Sequence, residues 1–515
     1  MRIGIDVGGT NTDAVVMDGS QVIGWTKTPT TPDVSSGIIT ALTDLLDRTA
    51  VAKQDISAVM IGTTHFTNAV VERRRLLEVA AVRLALPATE TLPPMVDWPQ
   101  DLAEVLGQHI YLVHGGHEFD GREIAPLDPD EIRRVAADIR AKGLRSAAIS
   151  SVFSPVNTIM EEEAADILRA EIPDLYISLS SQVGRLGLLE RENATIMNAS
   201  LQDLARRVAA SFRSALNHLD LHVPFYISQN DGTLMSADYA ERYPVLTFAS
   251  GPTNSMRGAA FLSGLKDAMV VDIGGTTSDV GMLIHGFPRE ASVSVEIGGV
   301  RTNFRMPDVL SFGLGGGSLV RSQADQVQIG PDSVGYELTE KSLVFGGSTL
   351  TTTDIVVAAN KADIGERSRV ADLDSVLVQR SIDEMQRMVD RAVDRMKTSA
   401  ADLPVVLVGG GSILVTREIQ GASRIVRPEQ APVANAIGAA IAQVGGEVDR
   451  VFSLDGQSRT EALDAAKQEA SDKAIAAGAS PETIQIVDVE DVPLSYLPGN
   501  AVRVRVKAVG DLSMA

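Results

Sequence analysis

The chain has no cysteine and only two tryptophans, and aromatic residues make up 4% of it. Without cysteine it forms no disulfide, no Cys-ligated metal centre and no thiolate nucleophile. Positive charge is also scarce: 46 Lys and Arg stand against 67 Asp and Glu, a net charge of −21. Nonspecific binding to nucleic acid or to an anionic membrane needs a basic face, so neither is expected. A nucleotide held locally with a metal ion is not excluded. No apolar run approaches the ~20 residues of a membrane helix, and no leader precedes the first motif. The expectation is a cytoplasmic protein. At 515 residues, 44% hydrophobic, the composition is that of a soluble globular chain of two or three domains.

What is present is a repeated octet. Asp6-Val-Gly-Gly-Thr-Asn-Thr-Asp13 lies between the apolar runs Ile3–Ile5 and Ala14–Met17, and Asp18-Gly19 then reads as a tight turn. The octet is therefore the bend of a hairpin. Gly8 and Gly9 leave backbone exposed, while Thr10, Asn11 and Thr12 crowd hydrogen-bonding groups beside it. Exposed N–H groups and hydroxyls in a tight turn suit phosphate oxygens. Asp6, at the strand end, is placed to hold a hydrated divalent cation. A second copy, Asp272-Ile-Gly-Gly-Thr-Thr-Ser-Asp279, matches at Asp, Gly, Gly, Thr and the final Asp. Two such hairpins far apart imply an internally duplicated fold with a phosphate chain clamped between two lobes.

The rest alternates helix and strand, which predicts an α/β fold with parallel or mixed sheets. Asp33 or Ser35 is placed to cap a helix carrying Ile38, Leu42 and Leu45 on one face. The strand Ile56–Ile61 runs into Gly62-Thr63-Thr64-His65 and a helix from Asn68. That strand end suits a polar ligand as well as it suits helix capping. Residues 79–186 read as an inserted α/β region, including a hairpin of 110–113 with 118–124. A long helix spans 188–219. Phe312-Gly-Leu-Gly-Gly-Gly-Ser318 is either a further phosphate-side loop or a structural turn, and Gly409-Gly410-Gly411-Ser412 follows a short strand. A helix of small residues covers 432–442 and suits very close packing. His114, His117 and Glu118, and His218 with His222, have ligand-like spacing, but a turn and a helix end account for them better. Arg73-Arg74-Arg75 reads as a solvated helix end.

In this order the motifs resemble the actin / Hsp70 / sugar-kinase ATPase superfamily, in which two ribonuclease-H-like lobes close on ATP. The resemblance assigns Asp6–Thr12 and Asp272–Ser278 to the two phosphate motifs, Gly409–Ser412 to adenosine, and the helix at 436–442 to the interdomain connector, with the start of the 188–219 helix as its partner. It implies a first lobe over 1–187 containing the insertion 79–186, a second lobe over 188–433, a connector over 434–450, and a small C-terminal α/β appendage over 451–515. A narrower resemblance is to the hydantoinase A / oxoprolinase family. It rests on Arg2–Thr10, Gly62–Ala69, Glu190–Asn198, Ser250-Gly-Pro252, Asp272–Asp279 and Gly313–Ser318.

That family implies ATP-dependent opening of a cyclic amide by phosphorylation of the amide oxygen, with a B-type partner subunit, in an oligomer. Catalysis then falls to Asp6, Asp272, Thr10 and Thr276, with Asp6 and Asp272 holding Mg²⁺. Gly8, Gly9, Asn11, Thr12, Gly274, Gly275, Thr277, Ser278 and Gly409–Ser412 contact the nucleotide. Thr63, Thr64, His65, Asn68 and Glu190 face the substrate. His65 stands where the family commonly carries an apolar residue. A small-molecule kinase and an ATP-switched scaffold on the same fold are the competing expectations.

Overall fold

The computed structural model describes residues 1–30, 34–291, 294–323, 326–494 and 500–513. Two large sheets carry one octet each. The first has nine strands, in the order Gln485–Pro493, Val502–Gly510, Gln443–Phe452, Thr233–Ser236, Phe225–Ser228, Ala58–Thr63, Arg2–Val7, Asn11–Asp18, Gln21–Pro29. The second has six: Phe287–Pro288, Ser278–Ile284, Ala268–Ile273, Leu403–Val408 and Ala422–Val426, with Val309–Phe312 alongside Ser278–Ile284. The insertion forms its own all-parallel sheet of four strands, ordered His109–His114, Val79–Leu86, Ser146–Ser151, Tyr176–Leu179.

Burial follows the apolar pattern. Ile3, Ile5, Val59 and Ile61 of the central strands are fully buried together with Ile38, Leu42 and Leu45 of the helix Val34–Thr49. The proposed cap Asp33 lies outside the described residues. At the C-terminal edge, Ala462, Ala466, Ala470 and Ala474 recur every four residues along the helix Arg459–Ala476. They form one buried stripe against Val502, Val504 and Val506.

Several expectations are corrected by backbone pairing. The lobe boundary does not fall at 188: Phe225–Ser228 pairs with Ala58–Thr63, so residues 188–236 complete the first lobe. The C-terminal strands are not a detached appendage either, since Val502–Gly510 pairs along all of Gln443–Phe452 in the first sheet. The 110–113 strand pairs in parallel with Val79–Leu86, and only an isolated His117–Glu123 bridge remains of the expected hairpin. The 188–219 helix is two helices, Leu188–Ser200 and Gln202–His218.

Leu188–Ser200 is also not the connector's partner. It docks on the inserted sheet through a buried ion pair, with Arg83 Nε donating to Glu192 Oε2 at 2.7 Å and Ser150 Oγ donating to the same oxygen at 2.5 Å. The connector Ala434–Ala440 crosses the helix Ser250–Ser263 instead. Glycine makes that crossing possible. A methyl group at Gly438 would overlap the Asn254 carbonyl, one at Gly258 the Ala434 carbonyl, and one at Gly4 the Ala436 carbonyl. Strand and two helices thus touch backbone to backbone.

Between the strands Phe287–Pro288 and Val309–Phe312 the second lobe sends out an arm, described over residues 289–291 and 294–308, with a short hairpin of Val295–Ile297 and Val300–Thr302. Ile297, Val300, Phe304 and Met306 are buried in the core of the first lobe. Phe304 meets Phe248 edge to face at 5.6 Å. Arg73 donates to the Gly298 carbonyl at 2.8 Å, so it is a tether for this arm and not a free helix end.

Candidate active site

The two octets have the same geometry. In each, the first and last acids face one another across an antiparallel pair, Asp6 opposite Asp13 and Asp272 opposite Asp279. In each, the first glycine N–H closes the turn, Gly8 to the Asn11 carbonyl at 3.0 Å and Gly274 to the Thr277 carbonyl at 2.9 Å. The turns meet across the lobes, where Thr10 Oγ1 and Thr276 Oγ1 lie 3.5 Å apart. Among the described residues nothing accepts from the backbone N–H of Gly9, Thr10, Gly275 or Thr276. Four unused donors and two hydroxyls converge between the two lobes, an arrangement of the kind that suits phosphate oxygens.

Four acids surround that arrangement. Burial pushes the Asp6 carboxyl up to about 7, helped by the charges of Asp13 and Asp272, while Asn435 acts in the opposite sense. Burial likewise raises Asp13 against the pull of Lys27, and raises Asp272 against a hydrogen bond from Ser255. Asp279 is pushed up to about 6 by burial and by Asp272, against Ser311. Lys27 Nζ reaches Asp13 Oδ1 at 2.5 Å. Among the described residues no group of three His, Asp or Glu is arranged to hold a metal; His114 Nδ1, for instance, pairs with Glu131 Oε2 at 3.1 Å. Magnesium asks for less, one or two carboxylates completed by waters and phosphates. Asp6 Oδ1 is buried without a hydrogen-bond partner, and Asp6 resists ionising chiefly because it is buried and further because Asp13 and Asp272 are also acidic. Those features would suit a hydrated divalent cation, with Asp6 and Asp272 as the residues that would hold it.

Glycine loops back the second octet. Gly409, at φ 81°, leaves no room for a side chain beside the Asp272 carboxylate and the Ile273 carbonyl, whereas nothing lies within 4 Å of a Cβ at Gly410. The 313–318 loop differs from its phosphate-side reading. Gly316 N–H donates to the Gly274 carbonyl at 3.0 Å, Gly317 N–H to the Gly275 carbonyl at 2.7 Å, and Gly315 N–H to Ser318 Oγ at 2.9 Å. Its donors are spent on the protein, so the loop supports the octet instead of binding phosphate.

The expected substrate residues divide into two groups. Thr63 is anchored by Ser250, whose Oγ accepts from Thr63 N–H at 3.2 Å and donates to the Thr63 carbonyl at 2.9 Å. Thr63 Oγ1 hydrogen-bonds His65 Nδ1, and Asn68 Nδ2 reaches Thr64 Oγ1 at 3.5 Å. Burial, and then Arg75, lower the His65 imidazole to about 4, so it is neutral near pH 7. No hydrogen bond or ion pair among the described residues joins Glu190 to this group. Glu190 instead lines a cavity of about 300 Å³ with Met95, Asn193 and Arg301, and the edge of a second of about 670 Å³ with Arg185 and Phe304.

Three polar residues escaped the sequence reading. Asn435 Nδ2 donates to both Asp6 Oδ2 and Asp13 Oδ2, each at 2.9 Å. Asn254 is fully buried, neither atom of its amide has a partner, and it shares the space above Gly62 with Asp6. Lys27 is the third. The only available signal was that Asn435 is the one polar residue in the run Pro432–Ala440.

Two lobes with matched phosphate hairpins, joined by crossing helices, define a protein of the actin-like ATPase fold. The crystal structure of an ATP-dependent caprolactamase from Pseudomonas jessenii superposes with a TM-score of 0.79 over 100% of this chain and 88% of that one, at 19% identity. The chain belongs to the hydantoinase/oxoprolinase family: its N-terminal region matches over residues 2–172 and its hydantoinase/oxoprolinase region over 191–367. Relatives include the acetophenone carboxylase gamma subunit of Aromatoleum aromaticum, 26% identical over 68% of this chain and 52% of that protein. The caprolactamase subunit alpha of P. jessenii is 26% identical over 69% of this chain and 54% of its own. The chain thus spans about half the length of these relatives.

Proposed function

We propose that this chain is the ATP-using part of an enzyme that activates a carbonyl oxygen by phosphorylation, and that its substrate is a cyclic amide such as a lactam or hydantoin. The observation that carries this reading is the pair of superposable hairpins, each with two unused N–H donors, meeting at Thr10 and Thr276. Family membership and the caprolactamase relative support the amide as acceptor.

An amide is a poor electrophile, and phosphorylating its oxygen with release of ADP activates the carbon; one water adds there, the C–N bond breaks with the ring nitrogen leaving as an amine, and a second water hydrolyses the resulting acyl phosphate to carboxylate and phosphate. Such transfer needs positioning and charge neutralisation more than covalent help. Magnesium, when bound, would neutralise β- and γ-phosphate charge. Asp6 and Asp272 would hold it, and the N–H groups of Gly9, Thr10, Gly275 and Thr276 with the two hydroxyls would grip the phosphates. Gly410 would leave room for the adenosine side. Thr63, Thr64, His65 and Asn68 would meet the ring, with a neutral His65 able to share a hydrogen bond without adding charge. Water activation and part of the substrate contact would fall to a B-type partner in an oligomeric assembly in the cytoplasm.

A second reading follows from the ketone carboxylase relative: a ketone is the phosphoryl acceptor. ADP release measured over a panel of lactams, hydantoins, ketones with bicarbonate, and polyols, with and without a co-purified partner, separates the alternatives. Lactam- or hydantoin-stimulated ADP release with ring opening is the expected result. Stimulation by ketones alone selects the second reading. A stable phosphorylated polyol makes the protein a kinase, and turnover indifferent to every acceptor makes it an ATP-switched scaffold.

A further inference from the structure

Asp6 and Asp13 stand directly opposite one another across two strands, and only 5% and 2% of their surfaces are exposed. Like charges in that position repel. A protein built for stability alone would set a cation between them or replace one of them. Here Lys27 holds Asp13 Oδ1 from one side, and between the two acids stands a neutral amide.

The amide's orientation is determined. Asn435 Oδ1 accepts from the Ala436 N–H at 2.8 Å, so its NH₂ group faces the carboxylates. That group has two hydrogens and gives one to each acid. Of the four carboxylate oxygens, Lys27 takes one and Asn435 takes two. Asp6 Oδ1 is left over, buried and without a close hydrogen bond, with only the Asn254 amide near it to ease its charge. Among the described residues no side chain bridges the two acids of the second octet: Asp279 accepts from Ser311 Oγ, and Ser255 is what offsets the burial of Asp272. The bridge is therefore not a by-product of the duplicated fold.

We infer that Asn435 is a positioning residue of the cation site: it ties Asp6 to Asp13 without cancelling their charge, and so presents Asp6 Oδ1 to a divalent cation. This inference rests on the nucleotide reading above. A lysine in its place would hold the acids equally well but would repel the cation. An aspartate would donate nothing and add a third charge. Asn435 also opens the helix whose Gly438 packs on Asn254, and helix Ser250–Ser263 leads into the strand that ends in the second octet. Its bridge therefore places the first acid relative to the second lobe.

The test is Mn²⁺ binding in the presence of ADP, followed by electron paramagnetic resonance, with thermal melting of each variant recorded alongside. Asn435→Ala is expected to weaken Mn²⁺ binding about tenfold or more, as loss of a partner that orients a metal ligand does. Asn435→Lys is expected to melt no lower than the parent and to bind no Mn²⁺. Adding Asp13→Asn to Asn435→Ala moves an amide donor to the neighbouring strand and is expected to recover most of the affinity. Parental affinity in Asn435→Ala or Asn435→Lys would overturn the inference, as would a folded double variant no better than the single one. Should Asn435→Ala fail to fold, the double variant, which lacks the acid pair, decides. If the parent protein itself takes up no Mn²⁺ with ADP, it is the nucleotide reading that falls.

Discussion

Asp6→Asn is expected to abolish ATP turnover and, in the same protein, to raise the melting temperature of the nucleotide-free form at pH 8. The two effects have one cause. Asp6 is buried among acids and its folded pKa stands at about 7, against an ordinary value of 3.8. Stability is full below the unfolded value of 3.8, where both states are protonated, and is lost as pH rises from there through the folded value of about 7. Above pH 7 the ionised group opposes folding by an amount on the order of a few kcal/mol. Asparagine keeps the shape and removes the charge. The melting temperatures of parent and variant should converge only below about pH 4, where Asp6 is protonated in the folded and the unfolded state alike, and should separate progressively up to about pH 7 and stay apart at pH 8. Turnover should fall by about two orders of magnitude or more, since a metal clamp supplies several kcal/mol of charge stabilisation. Asp272→Ala should likewise stop turnover in a folded chain. Unchanged turnover in either variant would remove the clamp, and an equal melting difference at both pH values would remove the electrostatic account.

The second large effect is steric. Gly438→Ala places a methyl group on the Asn254 carbonyl at the crossing of the two connecting helices. Neither backbone can yield without moving its lobe, so a stability loss of about 2–3 kcal/mol or more is expected from urea unfolding. Turnover should fall as well, because Asn254 and the second octet move with that helix. Gly410→Ala is the comparison: its added Cβ meets nothing within 4 Å. Stability should stay within about 0.5 kcal/mol, while KM for ATP rises if adenosine lies there. Equal stability of the two variants would refute the close-packed crossing.

The paired octets were legible as matching hairpins because everything that makes them is confined to contiguous residues: the turn, the donors and the acids all lie within eight positions. The small-residue helix was legible as a close-packing element, but its partner was not. Close packing needs a second surface with its own gap, and Gly258 in the sequence Met256-Arg-Gly-Ala-Ala260 gives no sign of which helix it meets. Asn435 was missed for the same reason, since the acids it bridges lie 429 and 422 residues away. The lobe boundary at 188 failed because sheet membership is decided by pairing, and the four-residue strand Phe225–Ser228 has no local mark of belonging beside Ala58–Thr63. The 313–318 loop stayed open between two readings because a glycine run exposes backbone to anything that can accept from it, and here the acceptors are carbonyls of the second octet.

The arm and the C-terminal strands bear on how the chain comes to be folded. The strand Arg2–Val7 belongs to a sheet that also needs Gln443–Phe452 and Val502–Gly510, which follow it far along the chain. The core beneath it lacks Ile297, Val300, Phe304 and Met306 until synthesis has passed residue 306. The second sheet needs nothing beyond Val426. The lobe begun first is therefore the last to be finished, and its apolar face stays open through most of translation. Contacts of such long sequence separation are slow to form and leave a growing chain exposed to misassembly. Neither lobe is a module that can be excised intact: cutting the arm away would leave a hole in one and a bare apolar finger on the other.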